Sequence, residues 1–166
     1  MKNIYFVQAN DVYGTDKKSV YIPYAAGCIQ TFCLTSEVIK SNYSFGKFVY
    51  TKEPVNDVIQ KLNNPYMVLF SCSVWNMEYN RALAKELKRT NPDCITVFGG
   101  HNVSDNCKLF ETDEYIDILM FGEGEEPFAA LLKAFEHGHL VIPSLLSADR
   151  QGFVENAVDL VVALLR

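Results

Sequence analysis

Four short clusters in this 166-residue chain carry side chains or backbone able to do chemistry. Gly122-Glu123-Gly124-Glu125 alternates carboxylates with glycines, and Gly99-Gly100-His101 sets an imidazole after a glycine pair. Ser71-Cys72-Ser73-Val74-Trp75 offers hydroxyls and a broad indole face, and Asn10 opens a polar stretch running to Lys18. Glu123 and Glu125 are of the type that does acid–base work, but a helix follows them, and its positive N-terminal end gives them a simpler role as complementary charge. A lone loop histidine such as His101 is ordinarily solvated, with lower-face metal ligation as its chemical alternative. His137 and His139 flank Gly138 on an expected surface turn, so no nucleophile–base pair is evident. Glycines at neighbouring strand ends remove side chains, and a large flat ligand can then lie against backbone.

The five cysteines, Cys28, Cys33, Cys72, Cys94 and Cys107, are odd in number and match no zinc or iron–sulfur spacing. They are expected to be free, reduced and largely buried, and no metal ligands are assigned. With 15 Lys+Arg against 20 Asp+Glu and a net charge of -5, the chain has no basic cluster to neutralise phosphates, which argues against nucleic acid. The apolar run Ile4–Val7 is too short for a signal peptide and no run approaches membrane-spanning length, so a cytoplasmic protein is the expectation.

These clusters must be held by the elements between them. Continuous apolar runs predict strands at Ile4–Val7, Lys47–Tyr50, Tyr66–Ser71, Cys94–Phe98 and Asp117–Phe121. Helices are predicted over Tyr24–Ser41, with Ala25, Cys28, Ile29, Phe32, Ser36 and Ile39 on one face, over Pro54–Leu62, over Asn76–Thr90 and from Phe128 to Phe135 after Pro127. Gly27 inside the first helix marks close approach to something or tight helix–sheet packing. Arg81, Lys85, Lys88 and Arg89 read as a wet helix face, and a short helix is expected between Ser104 and Glu114. Strand and helix alternate five times, which predicts an α/β, flavodoxin-like (Rossmann-like), doubly wound five-stranded parallel sheet, order 2-1-3-4-5, with helices on both faces. In that order the Asn10 loop, Ser71–Asn76, Gly99–His101 and Gly122–Glu125 meet along one rim, where such folds hold ligands. The first strand-to-helix turn lacks G-x-G-x-x-G, and no Ser/Thr-rich phosphate loop is present, which argues against a dinucleotide and flavin mononucleotide. Ser71 stands where a phospho-acceptor domain needs Asp.

Val97-Phe98-Gly99-Gly100-His101, followed by Asp117 to Phe128 with its Gly122-Glu123-Gly124-Glu125-Glu126-Pro127 turn, resembles the N-terminal cobalamin-binding domain of class B radical S-adenosylmethionine enzymes, which include anaerobic magnesium-protoporphyrin monomethyl ester oxidative cyclases and many methyltransferases. Pro23-Tyr24-Ala25-Ala26-Gly27 and Ser71-Cys72-Ser73 fit the same pattern, and the likeness covers roughly residues 1–140. The resemblance implies cobalamin held by Asn10, Tyr24, Ser71, Ser73, Trp75, Gly99, Gly100, His101, Gly122, Glu123 and Gly124, with metal binding only through the corrin cobalt. Two departures stand out. Asp11-Val12-Tyr13-Gly14-Thr15-Asp16 has Tyr13 where D-x-H-x-x-G domains place the cobalt-ligating histidine, which implies a base-off, His-off mode. The C-x-x-x-C-x-x-C motif that holds a [4Fe–4S] cluster and S-adenosylmethionine is absent, so those cofactors belong to another domain and the chain is not catalytic alone.

Residues 141–166 are therefore expected to be a linker or the start of a C-terminal catalytic domain, supplied in cis or in trans. Val154, Ala157, Val158, Val161, Leu164 and Leu165 follow helical spacing, a face for packing on the sheet, for a homodimer or for that domain. The rival to a cobalamin carrier is an apo α/β interaction or sensor domain. A rim closed by Tyr13, Tyr24 and Trp75 would favour the rival.

Overall fold

Alternating apolar strands and amphipathic helices build one sheet covered on both faces. The computed structural model describes residues 1–15, 19–103, 109–137, 152–153 and 163–165, with backbone alone at 110, 111 and in the last two stretches. The central strand is β1 (Lys2–Asn10), flanked on one side by β2 (Tyr43–Phe45) and β3 (Val49–Thr51). On the other side follow β4 (Pro65–Ser71), β5 (Ile95–Gly99) and β6 (Ile118–Met120), all parallel. The order β2-β1-β4-β5-β6 keeps the expected pattern, but the second strand comes in two pieces where Lys47–Tyr50 was expected. β2 pairs with Lys2–Ile4, and β3 pairs with Val7 and Asn10. The break falls at Gly46, where a Cβ would lie 2.1 Å from the Tyr5 ring, so the chain steps under that ring before rejoining the edge.

Two antiparallel strands extend the far edge, β8 (Ala163–Leu165) on β6 and β7 (Gly152–Phe153) on β8. Leu164 and Leu165, expected to be helical, are therefore strand residues. The outer edge of β6 offers unpaired backbone groups that an extended segment satisfies. The rest of that spacing, and the expected boundary at residue 140, lie outside the described residues.

Period-two alternation sorts the strands' side chains onto two faces. Ile4, Phe6, Met67, Leu69, Val97, Ile118 and Met120 pack with Ala26, Ile39, Phe128 and Leu132 of α1 (Tyr24–Cys33), α2 (Glu37–Asn42) and α6 (Glu125–Glu136). Tyr5, Val7, Val68, Phe70, Phe98 and Leu119 pack with Val58, Leu83, Ala84 and Leu87 of α3 (Val55–Lys61) and α4 (Met77–Thr90). A short α5 (Leu109–Thr112) precedes β6. The long first helix expected to run from Tyr24 to Ser41 is broken at Leu34–Ser36, where Thr35 Oγ1 donates to the Phe32 carbonyl at 2.7 Å and the second piece starts after an extended Ser36. Of the expected face, Ile29 and Ile39 pack on the sheet together with Ala26 and Cys33, while Ala25, Cys28 and Phe32 stand outside that cluster. A Cβ on Gly27 would meet nothing within 4 Å, which removes tight helix–sheet packing as its reason. The expected wet face of α4 is partly a clasp. Arg81 pairs with the buried Asp113 at 2.7 Å, and Lys88 pairs with Asp117 at 2.6 Å, so two rungs of one helix fix the segment that leads into β6.

Candidate functional site

Because all the parallel strands end along one edge, the loops after β1, β4, β5 and β6 share that edge. A cavity of about 630 Å3 opens there between the sheet and α1. Phe6, Leu69, Val97 and Met120 form its floor, Ala25, Ala26 and Ile29 its helical wall. Ser71, Gly99, Gly100, His101, Gly122, Glu123 and Gly124, seven of the expected site residues, line it towards the strand ends, and Glu125 joins them. Ser71 follows Leu69 on the cavity side of β4 by strand alternation, which brings its hydroxyl to an otherwise apolar wall.

The glycines there differ in why they are glycine. Gly100 has φ +106°, and a Cβ would sit 2.9 Å from the Cys72 carbonyl oxygen, so its smallness serves the packing of β5's end on β4's end. Gly124 is set against α1, where a Cβ would approach Ile29 Cδ1 to 2.6 Å. At Gly99 a Cβ would stand 3.3 Å from the Met120 carbonyl oxygen. Gly122 alone has both a left-handed φ, +74°, and open space where a side chain would go. That space belongs to the cavity mouth.

The remaining expected residues do not line the cavity. Tyr24 begins α1 and borders a second, apolar groove of about 720 Å3 along that helix, with Ile22, Cys28, Phe32 and Phe48. The neighbouring Cys28 thiol raises the Tyr24 phenol above its usual range. Asn10 is buried at the end of β1, Trp75 stands 61% exposed on the loop after β4, and Trp75 Nε1 donates to Asn10 Oδ1 at 3.1 Å. Ser73 donates its backbone N–H to Asn76 Oδ1 at 2.8 Å. These three belong to the rim above the ends of β1 and β4.

Sequence reasoning missed Asn76, which holds that rim in shape. Its buried amide donates to the Ala9 carbonyl at 3.1 Å and to the Ser71 carbonyl at 3.0 Å, tying the ends of β1 and β4. Asn80 adds a bond to the same Ser71 carbonyl at 3.2 Å, and the signal was two asparagines one helical turn apart at the start of α4. The small-residue run Ala25-Ala26 likewise gave the cavity's helical wall, since larger side chains there would fill it. Of the cysteines, Cys33, Cys72 and Cys94 are buried, and burial pushes the thiols of Cys33 and Cys94 up to about 12, which leaves them inert. Cys107 lies outside the described residues. Among the described residues no helix is long and apolar enough to cross a membrane.

The sequence matches the model of the family described as B12 binding domain over residues 44–132, more than half of the chain. The cobalamin-dependent radical SAM methyltransferase TokK of Streptomyces tokunonensis is 32% identical over 132 residues, 79% of this chain and 18% of that protein. A 2-(S-pantetheinyl)-carbapenam-3-carboxylate methyltransferase of Streptantibioticus cattleyicolor is 28% identical over 132 residues, with the same 79% and 18% shares. The chain thus spans less than a fifth of the length of these relatives. With β1, β4, β5 and β6 in their parallel order, the loops gathered on one edge and this match in sequence, the chain belongs to the B12-binding domain family.

Proposed function

We propose that this domain holds cobalamin base-off and His-off at the carboxyl edge of its sheet, as the cofactor-carrying part of a radical S-adenosylmethionine methyltransferase or oxidative cyclase. The observation that carries the reading is the open cavity between the sheet and α1, whose mouth is made by residues from β4, β5 and β6. At about 630 Å3 it falls within the range of ligand sites and suits the nucleotide tail, while the broad macrocycle lies across the rim. The fit is supported by its apolar floor, by the room at Gly122 and by the Ser71 hydroxyl. Residues 1–140 form the binding unit in this reading, with Asn10, Ser73, Trp75 and Tyr24 facing the ring or its periphery and the cavity residues facing the tail.

Bound cobalamin would supply cobalt-centred methyl-transfer or redox chemistry, while the [4Fe–4S] cluster and S-adenosylmethionine come from a separate domain in cis or in trans. What the chain's own residues do is bind, orient and exclude water from the tail. No histidine is assigned below the cobalt, because Tyr13 stands at the ligand's place in the D-x-H-x-x-G pattern. The rival reading, an apo interaction domain, drew on a rim closed by aromatics. Tyr13, Tyr24 and Trp75 are instead 46%, 72% and 61% exposed. Val12, Tyr21, Ile22 and Val74 are also exposed in these loops, an apolar collar that fits an end covered by cofactor and a further domain.

The test is titration with hydroxocobalamin under anaerobic, reducing conditions, gel filtration and an absorption spectrum. Stoichiometric retention with a base-off spectrum, unchanged by His101→Ala, is the expected result. Loss of a histidine-ligated signature in His101→Ala would overturn the His-off mode, and no retention well above micromolar concentration would overturn cobalamin binding.

A further inference from the structure

The rim carries a set of contacts that the cavity does not use. Trp75, the chain's single tryptophan, is 61% exposed, yet its indole N–H and its main-chain carbonyl are each tied to a neighbouring segment. Its Nε1 donates to Asn10 Oδ1 at 3.1 Å, and Asn10 is itself only 6% exposed. The Trp75 carbonyl accepts from Lys52 Nζ at 2.7 Å, and the same ammonium pairs with Asp11 at 2.7 Å. Lys52 also donates its backbone N–H to the Asn10 carbonyl at 3.2 Å. One lysine therefore joins the loop after β1, the loop after β4 and the residue that anchors the indole.

Leaving an indole in water forgoes its burial free energy, and fixing its rotamer costs entropy besides. The ring is exposed and belongs to neither core cluster. A side chain held rigid while exposed is preorganised for something that will cover it. We propose that Lys52 is a positioning residue that presets the Trp75 indole as a flat platform for one face of a planar macrocycle on the rim. The identity of the macrocycle rests on the cobalamin reading above. The role of Lys52 goes beyond it, and its origin is the broken second strand: β3 reaches the carboxyl edge beside Asn10 and delivers Lys52 there.

Three variants of the chain test this: Lys52→Met, Trp75→Ala and the double variant, with Lys52→Arg as the conservative control. A single tryptophan makes the fluorescence anisotropy of the free protein a direct readout of the ring's freedom. Lys52→Met lowers that anisotropy and weakens hydroxocobalamin binding roughly tenfold while the protein stays folded. Lys52→Arg recovers both signals in part. The double variant binds no worse than Trp75→Ala alone, because Lys52 acts through the ring. Losses that add in the double variant, or Lys52→Met binding like the wild type, overturn the platform while leaving cobalamin binding intact. Failure of the wild type to bind overturns both. If Lys52→Met does not fold, Trp75→Phe, which keeps a plate but lacks the Nε1 donor, is expected to bind more weakly, and unchanged affinity would overturn the proposal.

Discussion

Gly100 and Gly122 both hold positive φ angles, +106° and +74°, for different physical reasons, and substitution separates them. At Gly100 a Cβ meets backbone, the Cys72 carbonyl oxygen at 2.9 Å, which cannot swing aside. Gly100→Ala is expected to cost about 1–3 kcal/mol of stability whether or not ligand is present, read from urea unfolding. At Gly122 there is room, so Gly122→Asn, a residue that tolerates the left-handed region, should fold with a nearly wild-type melting temperature. Its side chain then occupies the cavity mouth, and hydroxocobalamin affinity should fall at least tenfold, roughly what an unfavourable 1.4 kcal/mol produces. Wild-type affinity in Gly122→Asn would mean that the mouth is not used.

Among the elements, α1 is apolar on two sides. Ala26, Ile29 and Cys33 face the sheet, while Cys28 and Phe32 border an open groove, so hydrophobic spacing alone did not decide which stripe is buried. α6 is fastened to β1 at its far end: Lys2 Nζ meets Glu136 at 2.7 Å and lies 4.9 Å over the Tyr66 ring. The hydrogen bond from Lys2 holds the Glu136 carboxyl below its usual range, and the same bond raises Lys2. A depressed carboxylate contributes stability above the ordinary glutamate value of about 4.3 and loses it as pH falls through the folded value. A raised lysine contributes below about 10.4 and loses its share as pH rises through the folded value. Melting temperature against pH should therefore fall more steeply below pH 4 for the wild type than for Lys2→Met, and parallel curves would refute the clasp.

For the molecule as a whole, a ligand that binds only the folded state adds RT ln(1 + [L]/Kd), about 2.7 kcal/mol at a hundredfold excess over Kd. For a domain of this size that corresponds to a rise in melting temperature of about 5–10 °C. Hydroxocobalamin at that excess should produce it by calorimetry, and Gly122→Asn at the same concentration should show about half of it or less. In the function proposed above, the exposed apolar residues of the loops after β1 and β4 make this edge the one expected to be covered.

The sequence by itself determined the layered α/β sheet, its parallel order through β6, the family and seven of the residues that line the cavity, because apolar runs, turn glycines and linear motifs are local signals. Contacts between distant segments were decided only in three dimensions. The split of the second strand depends on the Tyr5 ring over Gly46, and the strand at Ala163–Leu165 depends on an open edge of β6. Asn10 and Trp75 were legible as rim residues, but their hydrogen bond spans 65 positions, and the role of Asn76 depends on carbonyls of two strands. Lys52 is one lysine among several until β3 sets it between Asp11 and Trp75. Residue type and spacing report what one segment tends to do, whereas the cavity and its rim are made by the meeting of segments that no local pattern links.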